Sequence, residues 1–180
     1  RVNGDRLLCL AAIGLHEEGQ LAGDTVVVTS MTNLGLIDSL KERGISVEVT
    51  GVGDRQVIER MRQGGFQFGG ENSGHIIFGS HSTTGDGILA ALKILCWMKT
   101  KNVSLASLAD CMREYPQRLI SITVPEKRPL EDIPGMAALI AQCEETFGDQ
   151  GRNVIRYSGT ENKLRVLLEC SDGTLVEDFA

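Results

Sequence analysis

The stretch DTVVVTSMTNLGLIDSLKERGISVEV, residues 24 to 49, decides the fold. Its first part, DTVVVTS, is a short β-branched run bounded by turn residues and reads as a buried strand. The middle, NLGLIDSLKERG, places Leu36, Ile37 and Leu40 on one helical face and stops at Gly44, a residue suited to the position just past a helix end. ISVEV then resumes as a second strand. Strand, helix and strand at this spacing form a βαβ unit, which implies a parallel sheet with helices on its faces.

Reading outward, DRLLCLAAIGL before this unit is apolar almost all round, as a helix packed on both sides must be. After it, QVIERMRQGG reads as a short helix closed by glycines. GGENSGH, residues 69 to 75, reads as a polar loop, IIF as a short strand, and GDGILAALKILCWMK as a helix whose start Thr83 or Thr84 can cap, with Asp86 favouring its positive end. SLASLADCMREYP is a further helix opened by Ser104 and broken near Pro116. Asp5 in NGDR reads as a cap or first-turn charge and not as a metal ligand.

Beyond about residue 112 the pattern changes. LISITV is a strand, and MAALIAQCEETFG is an amphipathic helix with Met136, Ile140, Cys143 and Phe147 on one face. NVIRYSGTENKLRVLLEC reads as two strands around a polar loop, with Leu164, Val166, Leu168 and Cys170 alternating with Lys163, Arg165, Leu167 and Glu169. The expected architecture is therefore a βαβ layered α/β domain with a mixed sheet over residues 1–114. A smaller α+β domain is expected over residues 115–180, with Pro116 at the hinge. The chain opens at RVNGDR without a methionine and stops at LVEDFA, which reads as a helix cut short, so a piece of a longer protein is expected.

Composition narrows the function. The 180 residues are 42% hydrophobic and 23% charged, close to globular averages, with a formal net charge of -6. An acidic chain argues against a nucleic-acid binder, and 4% aromatics leave little for stacking bases. No apolar run reaches the length of a membrane span, and no signal-peptide pattern is present. Five scattered cysteines without a C-x-x-C pair read as reduced core residues of a cytoplasmic protein.

Two loops carry the chemistry. GGENSGH has the glycine spacing of a phosphate-binding P-loop, but His75 stands where a lysine is required. Glu71 stands where a nucleophile elbow needs glycine, and Glu71, His75 and His81 lack a standard metal-ligand spacing. What remains is a loop presenting Glu71, Ser73 and His75 to hydroxyl or amino groups: a carboxylate accepts from two hydroxyls at once, and a serine both donates and accepts. The alternative is a turn whose polar side chains face water. In IRYSGTENKLR, Arg156 can fork onto phosphate oxygens, Ser158 and Thr160 add hydroxyl donors, and Gly159 allows close approach of backbone N–H groups. Four cations (Arg152, Arg156, Lys163 and Arg165) face one acid, Glu161, between residues 152 and 165. A local positive loop on an acidic chain suggests an anion site, against the alternative of a hairpin with solvated charges. TGVGDR, residues 50 to 55, lies between a strand and a helix, so Gly53 and Arg55 fall at the carboxyl end of a parallel strand, where ligands gather.

GGENSGHIIF, TTGDGILAAL, RYSGTENKLRVLLE, VVVTSMTNLGL and TGVGDR, taken in order and spacing, closely resemble the α-D-phosphohexomutase family, specifically its bacterial branch acting on glucosamine phosphates. The resemblance covers essentially the whole chain and implies the third and fourth of four domains. It implies that Glu71 and Ser73 grip sugar hydroxyls, with His75 near the reacting end; Arg55, from its place at the strand end, is the further sugar-side candidate. It further implies that Arg156, Ser158, Gly159 and Thr160 hold the non-reacting phosphate, with Arg165 assisting. Tyr157 and Asn162 replace two prolines that are usual in that family loop.

The implied reaction interconverts glucosamine 6-phosphate and glucosamine 1-phosphate through a glucosamine 1,6-bisphosphate intermediate, on the way to peptidoglycan precursors. The donor phosphoserine and the Mg2+ loop belong to the chain's own N-terminal domains, so no catalytic or metal residue is assigned here and the fragment alone should be inactive. A hexosamine phosphate is the expected partner, with neither nucleic acid nor membrane; a homo-oligomer is allowed for. A phosphomannomutase or phosphoglucomutase fragment, or a non-catalytic sugar-phosphate-binding module, stands as the alternative. The doubled glycine and TTGDG favour glucosamine.

Overall fold

The computed structural model describes residues 2–180, which divide after Glu114 into two compact units, the second being Tyr115–Ala180. In the first unit, α1 (Gly4–Glu17) precedes β1 (Thr25–Thr29), α2 (Leu34–Lys41), β2 (Ser46–Thr50) and α3 (Asp54–Gly64). β3 (Phe68–Gly70), β4 (Ile76–Phe78), α4 (Gly87–Lys101) and α5 (Leu105–Ala109) complete it. The sheet runs β2-β1-β3-β4; β1 is parallel to β2 and β3, whereas β4 returns antiparallel to β3. This is the expected layered mixed sheet.

Both faces of β1 are covered, which is why its five residues are all buried and why alternation is absent from TVVVT. On one face Val26, Val28 and Phe68 pack with Leu8 of α1, Leu36 and Leu40 of α2, and Ile94 and Trp97 of α4. On the other, Val27 and Ile77 pack against Val57 and Met61 of α3. Full burial of each such aliphatic side chain contributes roughly 1.5–3 kcal/mol.

β3 corrects the expectation that Gly69 and Gly70 open a loop: both are strand residues, paired with Val27 and Val28 on one side and with Ile77 and Ile76 on the other. A side chain has no room there. A Cβ on Gly69 would lie 2.5 Å from the Val27 carbonyl oxygen, and one on Gly70 would lie 2.4 Å from that of His75 and 2.8 Å from a Leu8 methyl. Glycine is chosen here for close approach between elements, which outweighs its poor strand propensity.

Three helix starts sharpen the sequence reading. Asn3, not Asp5, caps α1, accepting from Arg6 N; Asp5 is the first-turn acid. Neither Thr83 nor Thr84 caps α4: Asp86 does, accepting from Ile88 N at 3.0 Å and Leu89 N at 2.9 Å. α5 is capped by Ser104 as expected, but ends at Ala109, well short of Pro116. The segment after it folds back on α1, where the Arg6 guanidinium donates to the Ala109 carbonyl at 2.7 Å and Glu114 accepts from Asn3 Nδ2 at 2.9 Å.

The second unit is a three-stranded antiparallel sheet of order β5-β7-β6, built from β5 (Gln117–Thr123), β6 (Gly151–Tyr157) and β7 (Lys163–Cys170). α6 (Met136–Phe147) and α7 (Gly173–Asp178) complete it. Cys143 and Phe147 of α6 and Val176 of α7 pack with Ile120, Val166, Leu168 and Cys170 of the sheet, which makes the even-numbered face of β7 the core face. The odd-numbered face is not simply solvated, as strict alternation implied. Leu167 is buried, and the fully buried Glu169 carboxylate receives Arg152 Nε at 2.8 Å and Gln117 Nε2 at 2.7 Å.

Candidate functional site

Glu71 to His75 form a five-residue loop closing the β3–β4 hairpin. Glu71 N donates to the His75 carbonyl and Gly74 N to the Glu71 carbonyl, both at 3.0 Å, so the turn is fixed by its own backbone. The neighbouring TGVGDR turn braces it: Gly53 N donates to Glu71 Oε1 at 3.1 Å, which holds the half-buried carboxylate with its second oxygen uncommitted to any described residue. Ser73 and His75 are exposed. The His75 imidazole lies with Nε2 3.7 Å from Asp54 Oδ2, and it covers Gly85 so closely that a Cβ there would be 2.4 Å from the ring.

Parallel β-strands direct their carboxyl ends toward one edge of the sheet, and both loops lie there, after β2 and β3. Arg55 sits at the start of α3 with its guanidinium unpaired among the described residues. It lines an open groove of about 540 Å³ with Asp54, Arg62 and Thr83. A carboxylate, a hydroxyl, an imidazole and a guanidinium at one sheet edge can bind hydroxyl and amino groups. Among the described residues no three His, Cys, Asp or Glu side chains come together as a metal site. The residues present therefore do not fit a magnesium ion.

In the second unit Arg156 of β6 and Arg165 of β7 are register partners, with Ser121 of β5 next in the row. Side chains two apart in a strand share a face, so Lys163 joins them opposite the core face. The loop between the strands, Ser158 to Asn162, is tightly tied. Ser158 N donates to the Lys163 carbonyl at 2.8 Å, Glu161 N to Ser158 Oγ at 3.3 Å, and Lys127 Nζ to the Ser158 carbonyl at 2.6 Å. Val124 N holds the Asn162 carbonyl at 3.0 Å. Ser158 is thus a buried scaffold of the loop, while Gly159 and Thr160 are exposed at its tip. Glu161 bridges Lys163 at 2.6 Å and Arg165 at 3.1 Å, and the hydrogen bond from Lys163, then that from Arg165, holds its carboxyl below the usual carboxylate range. The Arg156 side chain makes no hydrogen bond or ion pair with any described residue.

Sequence reasoning placed Gly53 at a ligand-gathering strand end but not as the brace of Glu71, and it missed Asp54 and Lys127 as supports of the two loops. Asp54 was within reach of the turn pattern. Lys127 lies in a connecting segment with no pattern of its own. The unit also holds an apolar cavity of about 210 Å³ between α6 and the sheet, lined by Met136, Leu139, Ile140 and Leu164 among others. Its hydrocarbon walls do not suit a charged sugar.

Two modules with polar loops of this kind define a class. The chain belongs to the phosphoglucomutase/phosphomannomutase family: residues 3–115 match its alpha/beta/alpha domain III and residues 119–180 its C-terminal domain. Within curated proteins it is similar to the phosphoglucosamine mutase of an Anaeromyxobacter species, 48% identical over 172 residues that cover 96% of this chain and 37% of that one. It is likewise similar to the phosphoglucosamine mutase of Geotalea daltonii, 45% identical over 179 residues, 99% of this chain and 39% of that one. The chain therefore spans less than half the length of these relatives. Among solved structures, N-acetylphosphoglucosamine mutase of Aspergillus fumigatus in complex with GlcNAc-6P and magnesium shares the fold at a TM-score of 0.79 and 22% identity, over 99% of this chain and 42% of that one. An N-acetylglucosamine-phosphate mutase in its substrate complex does so at 0.80 and 20%, over 98% and 42%. No helix among the described residues is long and apolar enough to cross a membrane.

Proposed function

We propose that this chain is the sugar- and phosphate-recognition part of a phosphoglucosamine mutase, an enzyme that interconverts glucosamine 6-phosphate and glucosamine 1-phosphate by way of the 1,6-bisphosphate. Residues 1–114 would read the sugar and residues 115–180 the phosphate. The observation that carries the reading is the side-by-side placement of Arg156 and Arg165 on one row of the sheet. Like charges directly opposite in a sheet are destabilising, so a folded protein that keeps such a pair gains by the anion it binds. Arg156 would fork onto the phosphate, with the exposed Gly159 and Thr160 offering a backbone N–H and a hydroxyl. Glu71, steadied by Gly53 N–H, would accept from sugar hydroxyls, with Ser73, His75 and Arg55 alongside. The choice of glucosamine over other hexoses rests on the curated relatives of 42–48% identity.

These groups hold and orient a substrate, and uniform holding does not lower a barrier. A phosphoryl donor and a charge-neutralising metal would come from the rest of the protein, and no step is assigned to this chain's residues through them. The test has two arms. Amide resonances of residues 156–165 should shift on titration with glucosamine 6-phosphate and stay in place in Arg156→Ala. A coupled assay of glucosamine 1-phosphate formation with added bisphosphate and magnesium should show no turnover by the chain alone. Turnover, or shifts that ignore Arg156, would overturn the reading.

A further inference from the structure

Four cations, Arg152, Arg156, Lys163 and Arg165, share one face of the second unit's sheet; Arg152 is neutralised by Glu169, and of the other three only two are neutralised. Glu161 contacts both Lys163 and Arg165 and leaves Arg156 open. The carboxylate belongs to the loop that carries the exposed Gly159 and Thr160, and it is itself exposed. Its grip on Arg165 is incomplete: one terminal nitrogen is bound at 3.1 Å, while Arg165 Nε is buried without a hydrogen-bond partner among the described residues. A guanidinium offers a fork that a two-oxygen or three-oxygen anion satisfies with parallel bonds. Glu161 fills one tine of that fork.

We propose that Glu161 is a resident stand-in for the ligand's phosphate, an internal carboxylate that occupies Arg165 in the empty state and is displaced when a phosphate bridges Arg156 and Arg165. The inference rests on the phosphate-site reading above and deepens it. Without an anion, the Arg156–Arg165 row would carry unrelieved repulsion; Glu161 relieves half of it at the cost of competing with the ligand. A glutamate is ionised at neutral pH in any case, so the contact with Lys163 and Arg165 is charge-assisted under ordinary conditions. Surface ion pairs are weak, so the competitor is removable. The device sets affinity low enough for a phosphate that must leave as well as enter.

The experiment is a titration of the 180-residue chain with inorganic phosphate at low ionic strength, followed by Arg165 Nε–H and loop amide resonances. Variants are Glu161→Gln, Arg156→Ala, Arg165→Ala and, as a charge control in the same unit, Glu177→Gln, whose partner is Arg118. Glu161→Gln should bind phosphate roughly two- to fivefold more tightly than the parent, the range an exposed ion pair supports, whereas Glu177→Gln should match the parent. Equal or weaker binding by Glu161→Gln, with both arginine variants impaired, overturns the stand-in role and leaves Glu161 a loop scaffold. Equal tightening by Glu177→Gln overturns it as a net-charge effect. If the arginine variants bind like the parent, or if nothing binds, the phosphate-site reading fails and the stand-in role fails with it.

Discussion

Arg152 and Arg156 lie on the same strand four residues apart and have opposite commitments. Arg152 is locked to the fully buried Glu169 carboxylate, whereas Arg156 is unpaired among the described residues. Their alanine substitutions should therefore fail in different assays. Arg152→Ala strands a buried charge and should destabilise the chain by about 3–5 kcal/mol in urea unfolding. Arg156→Ala should leave unfolding nearly unchanged and weaken phosphate binding by roughly ten- to 150-fold, the range of a charge-assisted hydrogen bond. Similar effects from both variants in both assays would reduce Arg156 to an ordinary surface charge.

Glu71→Gln keeps an acceptor for Gly53 N–H but removes the charge that favours several hydroxyl donors. Its hairpin should stay intact, with the Gly53 and Gly74 amides as protected from exchange as in the parent. Shifts of residues 71–75 on addition of glucosamine 6-phosphate should shrink severalfold. Loss of amide protection without loss of the ligand response would make Glu71 a structural brace.

Gly70→Ala should be a costly single methyl in the first unit. The new Cβ meets backbone at 2.4 Å, which cannot rotate away, so overpacking should cost about 1–3 kcal/mol in chemical denaturation. Gly85→Ala meets only the His75 ring, which can swing off Asp54. That variant should keep the parent's stability while the His75 ring resonances move. A normally stable Gly70→Ala would contradict the packing described for β3.

Asp86→Ala removes the acceptor of two helix-start N–H groups and should destabilise the first unit by about 0.5–2 kcal/mol, while Asp86→Ser or Asp86→Asn should recover most of it. Thr83→Ala and Thr84→Ala should be nearly silent. Thermal unfolding of the five variants separates the caps directly.

The elements legible in the sequence were those whose local pattern and burial agree. The β1–α2–β2 unit declared itself because a doubly covered strand is uniformly apolar and a half-covered helix is periodic. FGG did not, because residues selected for what a neighbour forbids leave no propensity signal; the Val27 carbonyl explains Gly69, and the His75 carbonyl with Leu8 explains Gly70. Glu169 was read as an outward polar position because alternation cannot show that Arg152 and Gln117 converge on it from flanking strands. At the loops, the residue types of Glu71, Ser73 and Arg156 pointed to ligand chemistry. The brace from Lys127 is tertiary and leaves no trace in spacing, whereas the TGVGDR turn marked Gly53 without showing that its N–H reaches Glu71.

Asn3 and Arg6 at the start of the first unit both reach Glu114 at its end, at 2.9 and 3.4 Å. A module whose two ends are stapled together behaves as a cassette: it can be lifted out of one polypeptide and spliced into another without stretching either host strand. The same geometry makes it a candidate for circular permutation. Joining the two ends through a short glycine linker and reopening the chain at the exposed Glu18–Gln20 turn should preserve the sheet, because no hydrogen bond of β1 to β4 spans the cut.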